Sequence, residues 1–267
     1  MIFEKMLRYF ELIGSAAIYY VNEAGRMGIF LYYSVLNLIK PPYKIFPVLK
    51  QTYIIGTLSI FVILFTGAFT GMVLALQGYH TLSKFGAEGL LGSAVALSLI
   101  RELGPVLAAL MVTGRAGSAI CAEIGVMRIS EQIDALECMA IDPYKYIVAP
   151  KFVAGIISLP LLTALFDVVG ILGGYLVGVG LLGASEGTYF SSMYKDVDFS
   201  DIYMGIVKSL CFGMLIIWIS SSKGYFVHLS KGGGFGAEGV SRVTTSAVVL
   251  SSVSVLLFDY FLTSVLL

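Results

Sequence analysis

The sequence predicts an all-α membrane protein: an N-terminal interfacial helix, five transmembrane helices, and a short amphipathic cytoplasmic helix between spans two and three. Three observations lead there. Of 267 residues, 58% are hydrophobic and only 13% charged, where a soluble domain carries about a quarter charged, and the mean hydropathy is +0.90. Five nearly charge-free runs, at 52–77, 90–114, 152–182, 202–222 and 243–265, each reach or exceed the roughly twenty residues that cross a hydrocarbon core. Finally, the Lys and Arg residues alternate between few and many from one connection to the next.

Residues 1–40 are apolar but punctuated by Glu4, Lys5, Arg8, Glu11, Glu23 and Arg26, a pattern for a helix lying in the interface. The run Met27–Ile39 is too short to span, and Pro41-Pro42 ends it. The start, Met1-Ile2-Phe3-Glu4-Lys5, predicts no cleavable signal peptide. Residues 1–50 thus read as interfacial helix and linker, and 51–267 as the five-span part of a single domain.

In the first span, Gly67 and Gly71 have the spacing that lets a neighbouring helix approach closely. The connection after it, Leu74 through Phe85, stays apolar, so it either packs on protein or lines an apolar path. Between spans two and three, Ile129, Ile133, Leu136 and Ala140 recur at helical spacing, with Glu131, Gln132, Asp134 and Glu137 on the other faces. This predicts a short acidic amphipathic helix near 129–140, capped by Ser130, with Asp142-Pro143 starting the next helix. It is a surface connector or a docking element for a soluble partner. Span three contains Pro150 and Pro160 and a face of Gly170, Gly173, Gly174, Gly178 and Gly180. Spans four and five are joined by the glycine-rich segment 224–239.

Orientation follows from the cations. Six Lys/Arg precede span one, four (Arg115, Arg128, Lys145, Lys151) follow span two and three (Lys223, Lys231, Arg242) follow span four. The opposite side has only Lys84 and Lys195. Positive-inside bias puts the N-terminus in the cytoplasm and the C-terminus outside.

The chemistry-bearing motifs are few. Gly234-Phe235-Gly236-Ala237-Glu238-Gly239 matches G-x-G-x-x-G, yet no strand precedes it, so the dinucleotide reading fails on context. The chain has no G-x-x-x-x-G-K-[ST], hence no P-loop for ATP. His80 and His228 lie on opposite sides, and Cys121, Cys138 and Cys211 lack metal spacing. What stands out is Arg101-Glu102 near the middle of the apolar sequence from Gly89 to Gly114. Ionised groups at membrane depth must face protein, water or each other, and mark transport pathways by default. With Asp167, Lys208 and Asp259 they form the intramembrane ionisable set. Lys208 is the leading partner for Glu102, and the set reads either as structural glue or as a polar patch in a substrate cavity.

The runs Arg101-Glu102-Leu103-Gly104-Pro105, Gly114-Arg115-Ala116-Gly117-Ser118-Ala119, Ala122-Glu123-Ile124-Gly125, Met127-Arg128, Glu131-Gln132-Ile133-Asp134-Ala135-Leu136, Asp142-Pro143, Pro150-Lys151-Phe152 and Ser158-Leu159-Pro160-Leu161-Leu162 resemble the MlaE/YrbE permease family, and the resemblance covers nearly the whole chain. It implies the non-catalytic membrane subunit of an ABC-type phospholipid transporter, homodimeric, in a bacterial inner membrane, serving outer-membrane lipid asymmetry. A separate cytoplasmic ATPase would carry ATP and Mg, with no cofactor in this chain, and a periplasmic ring of MCE-domain lipid carriers would sit outside. Carried over by residue, the segment near 129–140 would be the coupling helix, with Glu131, Asp134, Ala135, Leu136 and Glu137 facing the ATPase. Arg101, Glu102 and Lys208 would line a cavity near the lipid headgroup, and Leu74, Gln77, Leu82 and Phe85 would contact lipid on its way out. The rival readings are a self-sufficient secondary transporter, which an ion-gradient dependence without an ATPase would favour, and a membrane scaffold.

Overall fold

An apolar run in a bilayer has no water to satisfy its backbone, so every N–H and C=O must be bonded within the segment and helices result. In a computed structural model, which describes residues 2–39, 45–230 and 236–266, the chain is helical throughout, with no strand among the described residues. Five helical stretches are long and apolar enough to cross a membrane: Ile45–Phe85, Glu88–Ile129, Tyr144–Leu181, Phe199–Tyr225 and Ala237–Leu266. They cover the five predicted runs, all but residue 182 of the third, and extend beyond them elsewhere, because helices continue past the apolar stretch into polar turns that still pair their backbones.

We number the helices α1 (Ile2–Ile39), α2 (Ile45–Ile55), α3 (Ile60–Leu82), α4 (Leu91–Ser98), α5 (Gly104–Val112), α6 (Ser118–Ile129), α7 (Gln132–Cys138), α8 (Ala149–Tyr175), α9 (Glu186–Asp196), α10 (Phe199–Tyr225) and α11 (Ala237–Leu266). The first span is α2 plus α3, and the second is α4, α5 and α6 joined by π-helical turns at Leu99–Leu103 and Thr113–Gly117. The third span is α8 flanked by π turns at Tyr144–Val148 and Leu176–Leu181.

Span three is the hub, packed on α3, α10 and α2. The small-residue spacing read in the sequence is used for this. A side chain at Gly71 would run into the backbone of Gly170, and one at Gly67 would come within 3.0 Å of the Phe166 carbonyl. Gly173 and Gly174 lie against Ala68 and Val95 in the same seam. The backbones meet because neither helix has a side chain there.

α1 buries one stripe, Met27, Phe30, Ser34 and Asn37, and leaves Ile18, Val21, Ile29 and Tyr32 exposed. Phe30 is wholly buried in an aromatic cluster with Tyr144, Tyr225 and Phe226. Trp218 Nε1 donates to the Met27 carbonyl (2.9 Å), and Lys223 pairs with Glu23 (2.5 Å), fixing α1 to α10. The helix runs to Ile39; Pro41-Pro42 and Gly234-Phe235 lie outside the described residues.

α9 is a short helix in the connection between spans three and four. It packs on α4 so closely that a side chain at Gly92 would strike the Tyr189 backbone. Tyr189 is buried, with its hydroxyl donating to the Ile171 carbonyl (3.2 Å). α10 then opens with a capping box between Asp198 and Asp201.

Candidate functional site

The site begins with a missing donor. In an α-helix the N–H of residue 105 would bond the carbonyl of residue 101, and Pro105 has none. The helix widens into the π turn Leu99–Leu103 at this place, a local geometry frequent at functional sites. Lys208, from α10, supplies the donor: its Nζ donates to the Arg101 carbonyl (3.0 Å), the Glu102 carboxylate (2.7 Å) and the Thr263 hydroxyl (2.7 Å). A second carboxylate, Asp259, stands 3.0 Å from the same Nζ as an ion pair. Thr263 in turn donates to the Asp259 carbonyl (2.8 Å), one turn back on α11. Lys208 is 0% exposed and its three protons are all engaged.

α10 comes this near because Gly205 faces the π turn: a side chain there would sit 2.7 Å from the Ile100 carbonyl. On the opposite flank, any side chain at Gly104 would collide with the Asp167 carboxylate of α8. Asp167 and Thr163 line an apolar crevice of about 210 Å³ between spans two, three and four, and each holds a buried oxygen with no hydrogen-bond partner.

Arg101 turns the other way from Glu102, as neighbours about 100° apart around a helix must. Its Nε donates to Asp201 (2.7 Å), whose second oxygen accepts the Asp198 N–H (3.0 Å) in the capping box. The cluster therefore holds two cations and three carboxylates. Its interior, Lys208 and Asp201, is closed, while the Arg101 and Glu102 side chains are each 39% exposed. The open edge is what a ligand can reach.

The sequence placed Arg101 and Glu102 near the middle of span two, counting from Gly89 to Gly114. The helix continues to Ile129, so the pair lies about 20 Å from the Glu88 end at 1.5 Å per residue and considerably farther from the other. The cluster belongs to the half of the membrane region nearer α9.

At the other end, α7 is shorter than the predicted 129–140. Ser130 does not cap it: its hydroxyl bonds back to the Val126 carbonyl (2.8 Å) and terminates α6, and α7 follows from Glu131 in a left-handed conformation (φ 58°). Asp142 does cap the next helix, accepting the Tyr144 N–H (2.9 Å) across Pro143. α7 is clamped from inside. Arg128 pairs with Asp134 (2.6 Å), lies over the Tyr225 ring at 5.4 Å and donates to His228 Nδ1 (3.4 Å), and Tyr225 donates to Glu137 (3.2 Å). Ile133 is buried and Leu136 half-buried, while Glu131, Ala135 and Glu137 are exposed.

Of the other predicted residues, Leu74 and Leu82 are half-buried against the core, Gln77 is exposed, and Phe85 is 80% exposed. They lie on the first span, which packs on α8 and α4, away from α10 and α11. The chain does not bring them into one cavity with Arg101, Glu102 and Lys208 among the described residues.

Two cations read from the sequence as loop charges are structural instead. Arg115 reaches from the second π turn to the Ile54 carbonyl (2.7 Å) and Ser59 hydroxyl (2.8 Å), satisfying the break between α2 and α3. Lys151 is 1% exposed, paired with Glu123 (2.5 Å) and bonded to Gln51 (3.3 Å). Asp201 and Thr263 were also not singled out as members of the cluster. The signals were the Asp198/Asp201 spacing of a capping box and the i,i+4 placement of Asp259 and Thr263.

A five-span helical bundle with a satisfied but half-open charged cluster at membrane depth defines a polytopic membrane protein of the transport class. The chain belongs to the MlaE permease family: the family profile described as Permease MlaE matches residues 48–265. It is 43% identical over 264 residues, 98% of each chain, to the intermembrane phospholipid transport system permease protein MlaE of Haemophilus influenzae. It is 41% identical, again over 98% of each chain, to a "probable ABC transporter permease protein" of Rickettsia typhi. A chloroplastic protein of Arabidopsis thaliana, trigalactosyldiacylglycerol 1, is 35% identical over 86% of this chain and 64% of its own length. The chain is thus a multi-pass membrane permease of the ABC-transporter type.

Proposed function

We propose that the chain is the membrane subunit of an intermembrane phospholipid transporter, and that the open Arg101–Glu102 edge of the charged cluster meets the lipid headgroup. The observation that carries this reading is the contrast within one cluster. Lys208 is buried and saturated, so it positions, whereas Arg101 is exposed with one N–H committed to Asp201 and the rest of its fork available for a phosphate. This refines the role shared among Arg101, Glu102 and Lys208: Arg101 is the headgroup cation, oriented and partly neutralised by Asp201 rather than by Glu102, and Lys208 holds the Glu102 carboxylate and the Arg101 carbonyl.

The named activity of the Haemophilus influenzae relative supports the substrate class. The first and fifth spans are the least covered by the rest of the bundle. Their exposed apolar faces, Phe61, Phe65 and Phe69 on one and Val253, Leu257 and Phe261 on the other, suit a second copy and the lipid chains held between two copies. Leu74, Gln77, Leu82 and Phe85 then lead outward along the first span toward a periplasmic ring of MCE-domain carriers. α7 docks a separate cytoplasmic ATPase that holds ATP and Mg, through its exposed Glu131, Ala135 and Glu137 edge. Asp134 and Leu136 instead hold α7 to the bundle. ATP-driven closure of two ATPases would move α7 and, through Arg128 and Tyr225, the second and fourth spans that carry the cluster. The N-terminus faces the cytoplasm of a bacterial inner membrane, and the transported lipid maintains outer-membrane asymmetry.

The test is co-purified phospholipid per chain, measured by native mass spectrometry, in wild type, Arg101→Lys and Arg101→Gln, with lipid transfer measured after reconstitution with the ATPase. Loss of lipid and transfer in Arg101→Gln with retention in Arg101→Lys supports the headgroup role. Unchanged occupancy in Arg101→Gln overturns it.

A further inference from the structure

A second group of charges lies at the opposite end from the Arg101 cluster, where α1 crosses α10. Glu23, Arg26 and Met27 of α1 face Ser222, Lys223, Phe226 and Ser230 across a narrow cleft. Glu23 and Lys223 neutralise each other at 2.5 Å. Arg26 has no such partner: its guanidinium lies 6.0 Å over the Phe226 ring, its Nε is buried, and no described group accepts a hydrogen bond from it. The cleft therefore carries one uncompensated positive charge and a desolvated donor, an arrangement that costs free energy unless an acceptor fills it.

We propose that Arg26 holds the phosphate of an anionic phospholipid, pinning α1 to α10 at the membrane surface. The chemistry called for is an anion with oxygen acceptors, which a free phosphate shares. Two observations favour the lipid. The cleft is narrow, with room for about one water-sized group beside Arg26, so an oxygen of the ligand enters and the bulk of the group stays outside. And α1 presents Ile18, Val21 and Ile29 exposed beside Arg26, a surface that needs acyl chains around it, as in interfacial helices. This site is separate from the proposed transport path, so its failure would leave the transport reading standing.

The chain supplies its own reporter. Trp218 is the single tryptophan, and its indole N–H is bonded to the Met27 carbonyl (2.9 Å), next to Arg26. The full-length protein is reconstituted in phosphatidylcholine nanodiscs containing equal fractions of dibrominated phosphatidylglycerol or dibrominated phosphatidylcholine, and Trp218 emission is followed. The anionic brominated lipid is expected to bind about fivefold better than its zwitterionic counterpart at this position, the effect of one basic residue near the surface, and to quench correspondingly more. Arg26→Gln abolishes the preference, Arg26→Lys keeps most of it, and Lys195→Gln, an exposed cation at the other end, leaves it intact. Rescue by lysine separates loss of charge from misfolding. Equal quenching by the two lipids, or a preference that survives Arg26→Gln, overturns the proposal and leaves water in the cleft. Removal of the preference by added inorganic phosphate overturns the lipid as occupant and assigns the cleft to a free anion.

Discussion

Lys208 stands 2.7 Å from the Glu102 carboxylate and 3.0 Å from the carbonyl of Arg101, so a single ammonium neutralises one residue's side chain and replaces the backbone donor that Pro105 cannot provide for its neighbour. The sequence motif Arg-Glu-Leu-Gly-Pro and the lysine about one hundred residues later are two halves of one structural solution. The proline opens the helix, Gly104 and Gly205 let the flanking helices close on it, and Lys208 satisfies what is left.

Removal of Lys208 therefore strands several groups together. Lys208→Met should destabilise the fold by about 3–5 kcal/mol, the cost of leaving a buried pair half-made. A lowered melting temperature by fluorescence-detected size exclusion in detergent is the readout. Adding Glu102→Gln and Asp259→Asn to that variant should recover part of the loss, since no uncompensated carboxylate then remains.

Gly205→Ala should cost about 1–3 kcal/mol, because the new methyl would stand 2.7 Å from the Ile100 carbonyl, which is backbone and cannot rotate away. The same substitution at Gly180, where a side chain meets nothing within 4 Å, should be close to neutral. Thermal unfolding of the two variants side by side checks the difference.

Phe30→Ala removes a fully buried ring and should cost about 3–5 kcal/mol of local packing, released by α1 leaving Tyr144, Tyr225 and Phe226. Limited proteolysis should then cut within α1 faster while the five-span part remains intact. Equal protection of α1 in both proteins would contradict the aromatic cluster as its anchor.

A pH dependence is expected at α7. Burial first, and the charge of Arg128 second, hold the His228 imidazole below its ordinary value. A group depressed in the folded state binds its proton more readily when unfolded, so its contribution is complete above pH 6.5 and is lost as pH falls through the folded value. The protection factors of amides in residues 128–140, with the intrinsic pH dependence of exchange divided out, should fall between neutral pH and pH 5, and His228→Asn should flatten that dependence. The Asp134–Arg128 pair keeps the effect small.

The spans were legible because a bilayer imposes a length and a composition on any segment that crosses it, and the run from Ile60 to Leu82 can satisfy no other environment. The Gly67/Gly71 seam was legible for a related reason: without a hydrophobic force between helices, close approach depends on small residues at fixed spacing. Asp142-Pro143 was read correctly as a helix start because the cap and its target amide are neighbours in sequence. Ser130 was misread as a cap because a serine after a helix can bond backward as well as forward, and which it does depends on the left-handed Glu131 that follows.

What the sequence determined by itself was the class of the protein, its five spans and the residues that had to find partners at membrane depth, since each of these follows from the local cost of exposing backbone or charge to hydrocarbon. Only the tertiary structure decided the partners. Asp201 for Arg101, Asp259 and Thr263 beside Lys208, Ile54 and Ser59 for Arg115, and Glu123 for Lys151 are set by which helix faces meet. That depends on the summed packing of the whole bundle, in which a cation selects the acceptor within reach of its side chain, however distant along the chain.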